Sequence, residues 1–378
     1  MQSPFSAPRA AYVHVPFCVH RCGYCDFTVI AGRDDLADDY LRAIEIELVA
    51  LGEPREIDTL FVGGGTPTQL SPDQLDRLLA MLRRWLPLTS GGEFSIEANP
   101  AGFSAKKVDA LCEHGVNRVS LGVQSFSRPL LETLERDHDA RLIERTVEEL
   151  RGRIDNYGFD LIFGVPGQSL EDWHETLGRA VALGPTHVST YGLTYEKGTS
   201  FWTRREQRQL RPVDESVEAE MYSTAMSWLP EQGFPQYELS NYARPGYQSR
   251  HNAVYWRGLP YFGFGPGAAA YVNGTRTTNH RSVTNWLKRV LGGESGIGAS
   301  ETLSPEERAR EAIWLGLRRV CGIDRATFAA RFGLDLDSLI GAELPKLIAD
   351  GWIADDGNSI HLTRSGRLVA DRVAAELL

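Results

Sequence analysis

The amino-acid sequence predicts an α/β protein: six βα units whose parallel strands form a TIM-like barrel, followed by a smaller winged-helix-like domain. Three observations carry this. Short β-rich runs alternate with amphipathic helical patterns through the first two-thirds of the 378 residues. Residues unusual for a scaffold stand at the ends of successive β runs. Beyond residue 304 the alternation gives way to helical patterns and a late hairpin.

The first strand is expected at 11–15, and a helix at 36–51 with Leu41, Ile44 and Leu48 at helical spacing. The unit repeats at 59–62 with 72–82, 94–96 with 104–113, 118–121 with 140–151 and 159–163 with 170–183. A sixth strand is expected at 187–191. Ser71 before Pro72, and Ser104, are helix N-terminal signals, because a hydroxyl caps free N–H groups and a first-turn proline loses no bond. Strict alternation implies parallel strands covered by helices, which an open doubly wound sheet satisfies as well as a barrel. The placement of unusual residues favours the barrel. Three cysteines follow the first strand, Gly63-Gly64-Gly65-Thr66-Pro67 follows the second, and Glu97-Ala98-Asn99 closes the third. Gln124 ends the fourth, Asp160 and Gly164 belong to the fifth, and Tyr191 ends the sixth. In a parallel βα barrel these positions share the C-terminal rim, where loops converge on the reacting site.

Regularity then fades. Residues 197–211 are polar and loop-like, 215–229 helical, and an aromatic-dense stretch from Gly233 contains Glu238-Leu239-Ser240-Asn241-Tyr242-Ala243 and His251-Asn252-Ala253-Val254-Tyr255-Trp256. Gly263-Phe264-Gly265-Pro266-Gly267-Ala268 reads as a small-residue turn where backbone could lie against a flat ligand, and 292–300 as a bridge. Ser304-Pro305-Glu306-Glu307 caps a helix continuing over 308–317. Helices are expected at 327–332 and 336–350, a hairpin at 352–362 turned on Asp356-Gly357-Asn358, and a last helix at 365–378. The organisation expected is a barrel core over 1–230, an aromatic extension over 231–300 and a helical, winged-helix-like domain over 301–378. Winged helices often bind DNA, but a formal net charge of −10 and no basic recognition helix leave no phosphate footprint. A scaffold or lid role is expected instead, with no nucleic acid as partner.

A hydrophobic content of 42% supports a large core. No run of about 18 apolar residues could span a bilayer. The start, 1–10, lacks an apolar signal region, so a cytoplasmic protein without a transmembrane segment is expected. Of five cysteines only Cys112 and Cys321 lie outside one short motif, which gives no disulfide framework and suits a reducing compartment. Both are expected to be small buried hydrophobes and dispensable.

That motif is Cys18-Val19-His20-Arg21-Cys22-Gly23-Tyr24-Cys25, spaced CxxxCxxC. Soft anionic thiolates hold iron–sulfur clusters, and three of them leave one iron of a four-iron cluster without a cysteine. A structural zinc site is the alternative; it needs a fourth ligand, which His20 or His14 could supply, but no second CxxC or CxxH pair follows nearby. The glycine run lets backbone approach a ligand closely, but it lacks the ending of a P-loop and the spacing of a dinucleotide fingerprint, so taken alone it reads as a tight structural turn.

The cysteine spacing with Tyr24, followed by the Gly-Gly-x-Thr-Pro turn after the next strand, resembles the radical S-adenosylmethionine (SAM) superfamily. The resemblance implies an incomplete six-stranded barrel, a [4Fe–4S] cluster on Cys18, Cys22 and Cys25, and SAM chelating the open iron. It extends over most of the chain and narrows to the oxygen-independent coproporphyrinogen oxidases and their HemW relatives. By that resemblance Tyr12, Tyr24, Gly64, Gly65, Thr66, Glu97, Gln124, Arg136 and Asp160 occupy SAM-binding positions. Arg136 could pair with a carboxylate, while Glu97 or Asp160 could accept from ammonium or ribose hydroxyls. By the resemblance three features separate this chain from the dehydrogenase pattern: Phe27 stands where that pattern has a further cysteine, its long N-terminal extension is not expected here because the first strand begins near Ala11, and 238–243 followed by HNxxYW resembles HemW. The expectation is a haem chaperone with haem as cargo, anchored by His251 with Asn252, Tyr255 and Trp256, and delivered to an acceptor haemoprotein, respiratory proteins being one candidate class. A homodimer is compatible with the sequence. The alternatives are a coproporphyrinogen III dehydrogenase and, explaining least, a zinc-bearing or winged-helix regulator.

Overall fold

The computed structural model describes residues 7–377; residues 1–6 of the expected start and residue 378 of the expected last helix lie outside the described residues. The chain forms two compact units, Met1–Ala225 with Pro260–Glu301, and Met226–Leu259 with Thr302–Leu378. The expected 231–300 extension is thus divided at residue 260 between them.

In the first unit the order is β1 (Ala10–Val15), α1 (Ala37–Val49), β2 (Ile57–Gly64), α2 (Pro72–Trp85), β3 (Leu88–Ala98), α3 (Ala105–Glu113), β4 (Arg118–Gln124), α4 (Ala140–Leu150), β5 (Tyr157–Phe163), α5 (Leu170–Ala182) and β6 (His187–Gly192). All six expected strands are present and pair in parallel in chain order. A seventh, β7 (Phe262–Phe264), pairs in parallel with β1 on its other side. The strand order does not return on itself, as an incomplete barrel requires. Residues 263–268 are therefore not simply a turn: they open with a sheet strand, too short and glycine-rich to carry a β signal.

Strands covered on both faces need apolar residues on both. Val13, Leu60, Val62, Phe94, Ile96, Val119, Leu121, Phe159, Leu161 and Val188 are accordingly fully buried, and α1 packs Leu41, Ile44 and Leu48 inward. Ser71 caps α2 in a capping box with Gln74, each backbone N–H reaching the other's side chain at 3.2 Å. Ser104 stands at the N-cap of α3 but makes no capping bond. The stretch 197–211 contains a helix, Ser200–Glu206, which its seven residues are too few to announce by periodicity. Beyond β7, β8 (Ala269–Val272) and β9 (Thr275–Asn279) form an antiparallel hairpin. Its two-residue loop, Asn273-Gly274, has both residues at positive φ, which is the Asn-Gly signature of a hairpin turn. Helix α6 (Val283–Leu291) follows, and the 292–300 bridge ends in a strand, Ile297–Thr302.

In the second unit Ser304 and Glu307 form a capping box on Pro305–Leu317. Ile323–Asp324, Ser359–Leu362 and Ile353–Asp355 form a small antiparallel sheet, packed with the helices around Ile313, Leu317, Phe328, Ile340, Leu347 and Val373. The expected helix 336–350 is two, Leu336–Ile340 and Leu344–Ala349, because Pro345 fits only a first helical turn. The last helix breaks at Val369, which leaves helical geometry. Cys112 is half-buried, and Cys321 is exposed in a turn rather than in a buried helix face, a correction to the expected buried pair.

Candidate functional site

The cysteine loop is closed at its neck. Phe17–Cys18 pairs in parallel with Ile30–Ala31, and Ile30 N donates to Pro16 O at 2.8 Å while Gly32 N donates to Cys18 O at 3.1 Å. Cys22 is buried, with Cys18 and Cys25 half-buried. Burial pushes the Cys18 thiol up to about 11, and the neighbouring Cys25 and Cys22 add to that rise, while Thr66 and Arg136 oppose it. The Cys25 thiol is also raised by burial. Such thiols ionise only when a cationic centre repays the cost, which suits metal ligands better than free nucleophiles. Among the described residues no three His, Cys, Asp or Glu side chains group around a point that could hold a single ion. A tetrahedral zinc site takes its thiolates on one ion, and a cuboidal cluster takes each on a different iron.

The donors around the thiols fit an anionic guest. Arg136 directs Nη1 at Cys22 Sγ (3.7 Å) and Nη2 at Gly122 O (3.1 Å), and its Nε is buried without an acceptor. A cluster carrying thiolates, or a carboxylate bound to it, supplies what that guanidinium lacks. Thr66 Oγ1 lies 3.7 Å from Cys18 Sγ. Tyr24 packs edge-on against Phe201, with ring centroids 6.0 Å apart, beside Leu130 and Ile162.

The glycine turn is gripped by the protein itself. Gly64 has φ +110°, and a Cβ there would meet the His14 ring at 2.4 Å; at Gly65 it would meet Phe17 O at 2.8 Å. Gly64 N donates to Glu97 Oε2 at 2.9 Å. Burial raises the Glu97 carboxyl to about 8, against that bond, and Asp160 pushes it further up. Asp160 accepts from Ser120 Oγ at 2.9 Å and is itself raised, chiefly by burial. Two buried carboxyls, both raised by burial, thus belong to this wall. Gln124 has φ 62° at a register shift that ends β4, backbone strain of the kind stored at functional sites. Tyr12 donates its hydroxyl to His14 Nδ1 at 2.9 Å and stacks on Phe61.

Several contacts here escaped the sequence reading, including those of His14, which it weighed only as a fourth zinc ligand. His14, sandwiched by Gly64 and Gly265, hydrogen-bonds Thr28 O at 2.7 Å and is held neutral, its pKa lowered to about 4 by burial. Arg281 bonds Asp26 O at 2.5 Å, and Gly267 leaves room only for Thr28. Glu47 accepts from Gly265 N, Asn279 and Trp286, fastening the β7–α6 segment to α1. Glu135, at φ 57°, offers its carbonyl to Cys22 Sγ and His20 Nε2. Only the glycines of 263–268 carried a usable signal; the rest are ordinary residues made special by contacts distant in sequence.

In the second unit HNxxYW forms the helix Arg250–Trp256, capped by Ser249 Oγ, which accepts from Asn252 N at 3.2 Å. His251 is 1% exposed, and its Nε2 is 2.8 Å from Tyr255 Oη one turn on. Burial lowers its pKa to about 3. Asn252, Tyr255 and Trp256 are half-buried. The helix therefore brings His251 and Tyr255 together, with the imidazole turned inward in this arrangement.

A Radical SAM superfamily model matches residues 12–180, and a HemN C-terminal domain model residues 303–369. The heme chaperone HemW of Bacillus subtilis (strain 168) is 38% identical over 378 residues, covering 98% of this chain and 99% of that one. The chain belongs to the HemW family. HemW of Escherichia coli (strain K12) is 34% identical, covering 96% of each chain. The mitochondrial radical S-adenosyl methionine domain-containing protein 1 of Bos taurus is 34% identical, covering 100% of this chain and 88% of that one. Coproporphyrinogen III oxidase (HemN) from Escherichia coli, a radical SAM enzyme, shares the fold at TM-score 0.85 and 25% identity, covering 99% and 90%. Membership of the HemW family and the incomplete barrel with its C-terminal domain are both as the sequence led us to expect.

Proposed function

We propose that this HemW family member is a haem chaperone that binds haem as cargo and delivers it to an acceptor haemoprotein. The carrying observation is the end-to-end similarity to proteins named heme chaperones, at 38% identity with the Bacillus subtilis protein. HNxxYW on a capped helix supports it. In this reading Cys18, Cys22 and Cys25 hold a [4Fe–4S] cluster, which supplies one open iron for SAM. Tyr12, Tyr24, Gly64, Gly65, Thr66, Glu97, Gln124, Arg136 and Asp160 would line the SAM site. Arg136 Nε, which lacks an acceptor, would meet a carboxylate, and Glu97 and Asp160 would accept from ammonium or hydroxyl groups. The strained Gln124 and the Gly64–Glu97 bond would fix this wall.

His251 would anchor haem, with Asn252 orienting it and Tyr255 and Trp256 offering apolar area. Because His251 Nε2 is bonded to Tyr255, ligation by that atom requires the pair to open, and the freed phenol can then bond water or cargo. Segment 1–230 would serve SAM and the cluster, 231–300 the cargo and 301–378 as scaffold or lid, in a cytoplasmic protein whose acceptor is a haemoprotein, respiratory or other. Among the described residues no helix is long and apolar enough to cross a membrane. The test is a haem titration of the anaerobically reconstituted wild type and His251→Ala, followed by Soret absorption and iron spin state. Weaker binding with altered ligation in the variant is expected; identical affinity and spectra would remove His251 from the mechanism.

A further inference from the structure

A cation lies beside the aromatic end of the HNxxYW helix. Arg318, just after Pro305–Leu317, places its Cζ 4.4 Å from the Trp256 ring centroid and 5.7 Å from that of Trp314. Such packing occupies the face of a guanidinium and leaves its in-plane N–H edge for acceptors. That edge is underused. Its Nε is buried without an acceptor, and the paired carboxylate, Glu238 Oε2, stands 3.6 Å from Nη2, which is too far for a hydrogen bond. Oε2 in turn has no donor, although Glu238 Oε1 accepts from Ser240 N at 2.9 Å and from Asn241 Nδ2. The Trp256 indole N–H is also buried without an acceptor.

A buried N–H left unpaired is costly, so two of them stacked together require an explanation. The Arg318 side chain is 21% exposed, whereas that of Glu238 is sealed at 0%. An acceptor meeting the arginine from solvent therefore need not displace Glu238, and it reaches the buried Nε and indole N–H by a local shift of the stacked side chains. A planar carboxylate matches both the fork and the neighbouring indole N–H.

We propose that Arg318 and the Trp256 N–H form a carboxylate-binding subsite, and that the carboxylate it takes is a propionate of haem. This rests on the haem reading above. Haem carries two propionates on one edge, separate from the iron, so the subsite and His251 would grip different parts of one molecule. Glu238 keeps the empty subsite from accumulating a bare buried charge and weakens the grip, which suits a protein that must release its cargo.

The experiment compares haem with haem dimethyl ester, whose propionates are neutral, in Soret titrations of the full-length reconstituted protein. Wild type should bind haem about tenfold more tightly than the diester, the worth of a charge-assisted hydrogen bond. Arg318→Lys, which keeps the charge but loses the fork, should shrink that preference severalfold without changing diester affinity. Glu238→Gln should enlarge it. Equal wild-type affinity for the two ligands overturns the subsite even if no variant folds, as does an unchanged preference in folded Arg318→Lys. Failure of wild type to bind either ligand sinks the haem reading and the subsite with it, an outcome distinct from equal binding.

Discussion

At Cys22 the side chain of Arg136, the ring of His20 and the carbonyl of Glu135 meet one thiol. Losing that sulfur removes one of three thiolates in a loop too short to recruit another. Cys22→Ser should therefore lose most of its iron and sulfide after anaerobic reconstitution, and full, stable four-iron occupancy would refute the assignment. The cysteines were legible because their chemistry lies in local spacing. Glu135 was not, since its role is a carbonyl set by φ 57°, which no residue name announces. Another residue-scale consequence concerns pH. His251, with its pKa lowered from 6.5 to about 3 by burial, binds a proton less readily folded than unfolded. Its contribution is present above about pH 6.5 and is lost as pH falls towards the folded value, by about 2 kcal/mol at pH 5. Glu97, raised to about 8, has the opposite sign, because the folded state holds its proton more tightly and gains as pH falls from 8 towards 4.5. The comparison must therefore be between variants. In urea unfolding, the change in stability between pH 7 and pH 5 should shift by about 2 kcal/mol in favour of acid stability in His251→Gln relative to wild type. No difference between them would mean that the imidazole is not held neutral.

Among the elements, the turn after β2 shows what a glycine is for. Gly64 combines φ +110° with a space that the His14 ring fills, whereas Gly91, also at positive φ, has nothing within 4 Å of its would-be Cβ. Gly91→Ala should cost about 1–2 kcal/mol from backbone strain alone. Gly64→Ala should cost more, at least about 3 kcal/mol, because the ring must also move. Thermal melts of both variants compare them directly, and equal losses would mean that His14 does not brace the turn. The six parallel strands and the five helices between them were readable because apolar spacing is local, and the helix starts at Ser71 and Ser304 because a hydroxyl just before a helical run is itself the signal. β7 was not readable: Phe262–Phe264 is a strand only because β1 offers it a partner. The Asn273-Gly274 hairpin had a signal in its turn residues that flanking strands of four and five residues did not reinforce.

For the molecule as a whole, the sequence separated an α/β region from a helical one but not the course of the chain between them. The chain leaves the first unit after Ala225, returns at Pro260 and leaves again after Glu301. The return is held by contacts such as Glu47 with Gly265, Asn279 and Trp286, more than two hundred residues apart. Local patterns cannot reveal such pairings. The scaffold shared with the Escherichia coli coproporphyrinogen III oxidase, at TM-score 0.85, says nothing by itself about shared chemistry. Phe27, where the dehydrogenase pattern has cysteine, is 58% exposed on the cysteine loop and supplies neither ligand nor proton. Haem delivery is the central claim, and one anaerobic experiment addresses it: the reconstituted protein is loaded with haem, mixed with an apo-haemoprotein, and followed by the Soret shift, with coproporphyrinogen, SAM and reductant supplied to a parallel sample. Movement of haem to the acceptor and no appreciable protoporphyrinogen are expected; robust decarboxylation without haem binding or transfer would refute haem delivery.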